Sequence, residues 1–132
     1  MPVASVTRLR VRTLRYVPAF IWTAACCLRQ ARRSKGCLAA DIRRDKHLVF
    51  WTRTMWQDLN AMQSYTRSGA HRAVLPRLQQ WCDEASVVHW EQEAESLPDW
   101  PEALAQMRAA GRITRVRHPS EAQIQGQTVP LT

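Results

Sequence analysis

The spacing of apolar and polar positions changes period along this chain. Over residues 5–13 the pattern alternates, with Leu9 and Val11 on one side and Arg8, Arg10 and Arg12 on the other, as in a two-faced strand. From Pro18 the apolar positions Phe20, Ile21, Ala24, Ala25, Leu28 and Ala31 recur at helical spacing until Gly36. Leu38, Ala40 and Ile42 alternate again, Asp45-Lys46 predicts a turn, and residues 47–54 predict the returning strand of a hairpin. A second helical region is expected to begin at Thr54 or just after it, with Leu59, Met62 and Tyr65 at helical spacing, a break at Ser68-Gly69, and a continuation through Val74, Leu75, Leu78 and Trp81. Asp83-Glu84 predicts a turn and residues 85–90 a further strand. After an acidic connector over 91–99, Trp100-Pro101 opens a last helix that ends at Gly111, and residues 112–117 predict an edge strand.

The resulting order, β-α-β-β-α-β with a C-terminal addition, predicts an α+β fold of the ferredoxin-like, split βαβ kind. The helices of such a sandwich lie on one face of an antiparallel sheet. A single domain over 1–118 is expected, with its core at about 5–93 and a loose tail over 119–132. Leu48 to Trp51 is apolar at four consecutive positions and Val87-Val88 repeats the pattern, so both strands need cover on both faces. A homodimer that closes the second sheet face meets that need, because a monomer rarely exposes so large an apolar patch.

Charge adds a second asymmetry. The 132 residues carry 19 Lys+Arg and 11 Asp+Glu, a net charge of +8. Residues 1–53 hold 12 basic and 2 acidic groups, whereas residues 54–132 hold 7 and 9. An apolar content of 45% with six Trp and four Gly excludes disordered and low-complexity classes. The four cysteines include no C-x-x-C pair and no zinc-binding spacing, so no metal site is expected and free thiols in a reducing compartment are. The apolar run 16–28 contains Pro18, is followed at once by Arg29, Arg32, Arg33 and Lys35, and is too short to span a bilayer, which takes about 20 residues. A cytoplasmic protein without a membrane span is therefore expected.

Residues 50–71, Phe-Trp-Thr-Arg-Thr-Met-Trp-Gln-Asp-Leu-Asn-Ala-Met-Gln-Ser-Tyr-Thr-Arg-Ser-Gly-Ala-His, resemble a passage of the dimeric α/β-barrel superfamily that includes antibiotic-biosynthesis monooxygenases. In that passage a strand ends in a tryptophan-containing turn, a helix carries an Ala-Met pair, and a Ser-x-x-His step begins the next helix. The stretch is also similar to the spheroidene monooxygenase group. The resemblance spans about residues 5–93 and implies a homodimer, a small-molecule cavity and monooxygenase-type chemistry; a fold alone does not fix chemistry. Haem-degrading members set a Trp on this helix and a His on the next against the cofactor. Tyr65 and Leu75 fall at those positions here, which weakens a haem assignment; His71, one turn earlier, would reach an open iron position with the helix rotated. No cofactor is required by the sequence. Cofactor-free members hold a phenolic substrate in a polar and aromatic pocket.

His71 is accordingly the candidate catalytic residue, and Trp51, Trp56, Tyr65, His89, Arg8, Arg10 and Arg12 are the candidate ligand-binding residues for a small aromatic or acidic molecule. The competing assignments are structural: His71 as a helix-start hydrogen-bonding group, His89 as a satisfied core histidine, the tryptophans as core, and the arginines paired with internal acids. A non-catalytic binding protein on the same fold is the alternative function. An RNA-binding sheet platform is disfavoured, because residues 48–54 contain no Gly and their two adjacent aromatics cannot share a face.

Overall fold

The computed structural model describes residues 1–130, with Ala70 described in backbone only. Strand β1 (Val3–Val11) leads through a 3-10 turn into helix α1 (Val17–Arg33), which has Pro18 in its first turn. Gly36, at φ 86°, reverses the chain into β2 (Cys37–Arg44), and β3 (Val49–Trp56) returns antiparallel to it. Helix α2 (Leu59–Thr66) is capped by the Asp58 carboxylate, which accepts from the Ala61 N–H, and α3 (Gly69–Trp81) is capped by Ser68, which accepts from the His71 N–H. Then follow β4 (Cys82–Glu91), α4 (Trp100–Ala110), β5 (Arg112–Ile113) and α5 (Glu121–Ile124). The sheet runs in the order β2-β3-β1-β4-β5 and every pairing is antiparallel. The α+β, ferredoxin-like class read from the sequence is the observed one.

Several element boundaries differ from expectation: β1 runs Val3–Val11 instead of 5–13, and α2 starts at Leu59 and not near Thr54 because the chain stays in β3 to Trp56. The hairpin strand starts at Val49 rather than residue 47, since His47 and Leu48 take positive φ (57° and 63°) to turn the chain. Asp83 and Glu84 belong to β4 and do not form a turn. Glu84 is opposite Arg10 on β1 and reaches two guanidinium groups there, which stabilises an acid in an extended strand. The final strand is two residues long instead of six.

Both faces of the sheet are covered, as the apolar runs require. On one face α1 packs Phe20 against Phe50, with ring centroids 4.8 Å apart, and Val11, Cys82 and Ala85 join them. On the other face α4 inserts Ala103 and Met107 against Val6, Val49, Trp51 and Val88. The second layer therefore comes from the chain's own α4 and not from a partner. It also covers the face that an RNA platform would need.

The segment expected to be loose is docked through residue 130. Gln123 accepts from the Ala85 N–H at 3.1 Å and donates to the Thr114 carbonyl at 2.7 Å, and Ser86 donates to the Thr128 carbonyl at 2.9 Å. Gln123 is buried on that account. Residues 131–132 of the expected tail lie outside the described residues. No described helix is long and apolar enough to cross a membrane, and the described residues contain no group of three or more metal-ligating side chains.

Candidate functional site

Period-two alternation sorts the strand side chains to opposite faces, and a cavity opens on each. The helix-side cavity, about 430 Å³, lies between the sheet and α1, α2 and α3. Its floor is a square of small hydroxyls: Ser5 and Thr7 of β1 stand opposite Thr54 and Thr52 of β3. Arg115 is the one charged side chain among the described residues that line it, and none of those residues is a carboxylate.

Its aromatic wall rises in contact order. Trp56 is buried, donates from Nε1 to Thr54 Oγ1 at 2.8 Å, and stacks on Tyr65 with centroids 5.3 Å apart. The Tyr65 hydroxyl donates to the Cys27 carbonyl at 2.9 Å. Burial, reinforced by the nearby Cys27 and Cys37 thiols, pushes its pKa far up, so the phenol stays protonated and acts as wall. His71 meets the Tyr65 ring edge-on at 5.1 Å. Burial lowers the His71 pKa, partly offset by the Thr66 carbonyl, so the imidazole is neutral at pH 7. Its Nδ1 is buried without a hydrogen-bond partner among the described residues. The ring lines the cavity, and a neutral imidazole keeps one nitrogen able to accept a hydrogen bond or a proton.

Of the expected site residues, His71, Tyr65 and Trp56 gather here. The others do not. Trp51 points to the opposite face, donates from Nε1 to the Asp45 carboxylate at 3.1 Å, and packs under α4. His89 is exposed and lines neither cavity: Val88 and Trp90 pack with the α4-side cluster, and His89 falls on the other face outside the helix-side cavity. Arg12 lies just beyond β1, where it donates to the Gln80 carbonyl at 2.8 Å and to the Tyr16 hydroxyl at 3.0 Å.

Arg8 and Arg10 share the α4-side face and meet an internal acid. Arg8 Nη1 lies 2.8 Å from Glu84 Oε1, and Arg10 Nη1 lies 3.0 Å from Glu84 Oε2. Burial opposes the Glu84 carboxylate, but hydrogen bonds from Ser120 and Arg8 outweigh it and hold its pKa below the usual range. The hydroxyl floor was not anticipated. Its signal was present as Ser5-x-Thr7 and Thr52-x-Thr54, hydroxyls at period two on strands that the hairpin order makes neighbours.

Haem fits this cavity poorly. Its two propionates would find a single lining cation, Arg115, and the remaining polar groups are uncharged hydroxyls, an amide, an indole, the Cys27 thiol and one imidazole.

The fold has solved counterparts. Rv0793 from Mycobacterium tuberculosis is 14% identical with a TM-score of 0.66, covering 73% of this chain and 99% of that one. A point mutant of SnoaB, a cofactor-independent oxygenase from Streptomyces nogalater, is 16% identical with a TM-score of 0.62, covering 74% and 98%. An antibiotic biosynthesis monooxygenase is 14% identical with a TM-score of 0.63, covering 70% and 99%. The likeness lies in the fold, in keeping with the superfamily resemblance of residues 50–71. No curated protein matches the sequence. The model of a domain of unknown function, DUF3291, matches residues 14–115, and the chain belongs to that family.

Proposed function

We infer that the protein binds a small, uncharged aromatic molecule in the helix-side cavity and promotes its reaction with oxygen without a bound cofactor. The observation that carries this reading is the neutral imidazole of His71 in a cavity floored by hydroxyls and lined by no carboxylate among the described residues. A phenolic substrate matches each part. Its ring packs between Trp56, Tyr65 and Leu75, and the floor hydroxyls orient its polar edge. Its O–H donates to the His71 imidazole, which takes up the proton as electron density moves to the ring. SnoaB, of the same fold, is a cofactor-independent oxygenase, which supports this class of chemistry. A homodimer, as the resemblance implies, and a cytoplasmic location complete the reading.

The test is oxygen uptake with 2-naphthol and with 1,4-naphthohydroquinone, corrected for uncatalysed oxidation. Uptake should fall at least about 100-fold in His71→Ala and stay unchanged in His89→Ala. Undiminished uptake in His71→Ala would overturn the assignment of His71. Saturable binding of both probes without any uptake would favour the non-catalytic alternative.

A further inference from the structure

A second cavity, about 470 Å³, lies on the opposite face, between β1, β3, α4 and the C-terminal segment through Pro130. Its size is within the range of small-molecule sites. Arg8 and Arg10 form its floor with Glu84, Trp51 and Leu104 form its walls, and Lys46 and Arg108 stand at its rim.

The floor is under-neutralised in one place. Arg8 is 6% exposed, yet it makes one hydrogen bond among the described residues, from Nη1 to Glu84. A guanidinium carries five N–H donors in a rigid fork. Glu84 cannot take up the rest, because its other oxygen already accepts from Arg10 at 3.0 Å and from Ser120 Oγ at 2.8 Å. Asp83 reaches Arg10 Nε at 3.8 Å and so relieves Arg10, but among the described residues Arg8 has Glu84 as its one ion-pair partner.

The rim adds to this demand. Lys46 and Arg108 form no ion pair with the described residues. Asp45 accepts from the Trp51 indole and the Lys46 backbone N–H. The lining therefore holds four cations, Arg8, Arg10, Lys46 and Arg108, against three acids, Asp45, Glu84 and Glu121. A buried arginine edge that opens into a cavity with apolar walls calls for a planar oxyanion on an apolar body.

We propose that this cavity is a second binding site, separate from the His71 cavity, which takes a small aromatic carboxylate through the free edge of Arg8. The carboxylate lies between Arg8 and the rim cations, and its ring rests on Trp51 and Leu104. The two sites carry opposite preferences. The hydroxyl-floored cavity suits neutral ligands, and the arginine-floored one suits anions.

The indole N–H groups report the two cavities separately, since Trp51 lines one and Trp56 the other. Nitrogen-15 spectra of the full chain, with indole signals assigned through Trp51→Phe and Trp56→Phe, are titrated with 1-naphthoate and with the uncharged isostere 1-naphthamide. The expected result is a saturable shift of the Trp51 signal with naphthoate and at least about tenfold weaker binding of naphthamide. Arg8→Lys retains a charge for Glu84 but loses the fork, and should weaken naphthoate about tenfold. Arg108→Gln, an exposed change that leaves the fold intact, should weaken it about threefold and serves if Arg8→Lys does not fold. Equal affinity for the two compounds, no saturable Trp51 shift at millimolar naphthoate, or a shift confined to Trp56 would each overturn the proposal. Because each cavity has its own reporter, failure here leaves the reading of the His71 cavity standing.

Discussion

His71 and Glu84 show how one side chain acquires its character from what surrounds it. The native His71 pKa lies below its ordinary value of 6.5 because the ring is buried. Between that lowered value and 6.5, the unfolded chain binds a proton that the folded chain does not. This contribution to stability is therefore complete above about pH 6.5 and is lost as the pH falls through the window. Urea unfolding across that range should show a decline that is absent in His71→Gln. Glu84 behaves differently, since it is 3% exposed and holds the buried Arg8. Glu84→Ala leaves that guanidinium unpaired and should cost about 3–5 kcal/mol in chemical denaturation. Arg10→Gln, at a side chain 39% exposed, should cost under about 1 kcal/mol. Both acids and histidines are visible in a sequence, but their partners are not. Arg8 and Glu84 are 76 positions apart, and no local pattern links them.

The elements were legible wherever one signal dominated. Helix α1 begins with Pro18 in its first turn and gives way to Gly36, and α3 starts at Ser68-Gly69, because caps and breakers act on their own neighbours; α2 starts at Asp58, past the Thr54 that periodicity suggested. Gly36 is required twice over: φ is 86°, and a Cβ there would meet Ala61 Cβ on α2 at 2.5 Å. Gly36→Ala should lower stability by at least about 1 kcal/mol, read as a shift of the denaturation midpoint. The C-terminal segment escaped a reading based on periodicity, since it is held by single polar contacts. Gln123→Ala would leave the Ala85 N–H and the Thr114 carbonyl without these partners, at an expected cost of about 1–3 kcal/mol. Amide exchange at Ala85 should quicken in the same variant.

For the whole molecule, the decisive feature is that α4 closes the second sheet face. Ala103 and Met107 are fully buried against strands that would otherwise need a partner chain. On dilution the thermal midpoint should therefore level off at that of a folded monomer, since association of folded chains raises it by mass action without completing their core. A midpoint that keeps falling, with folding lost at the lowest concentrations, would show that a partner is required for folding. Strand and helix order, the antiparallel α+β class and the need for cover on both faces follow from periodicity and breakers, which act over a few residues. The same alternation put Arg8 and Arg10 on one face and the hydroxyls on the other. What covers each face, which acid meets the arginines, and the meeting of Trp56 with Tyr65 and His71 in one cavity depend on contacts between distant segments. A linear pattern holds no record of those distances, and only packing in three dimensions brings the segments together.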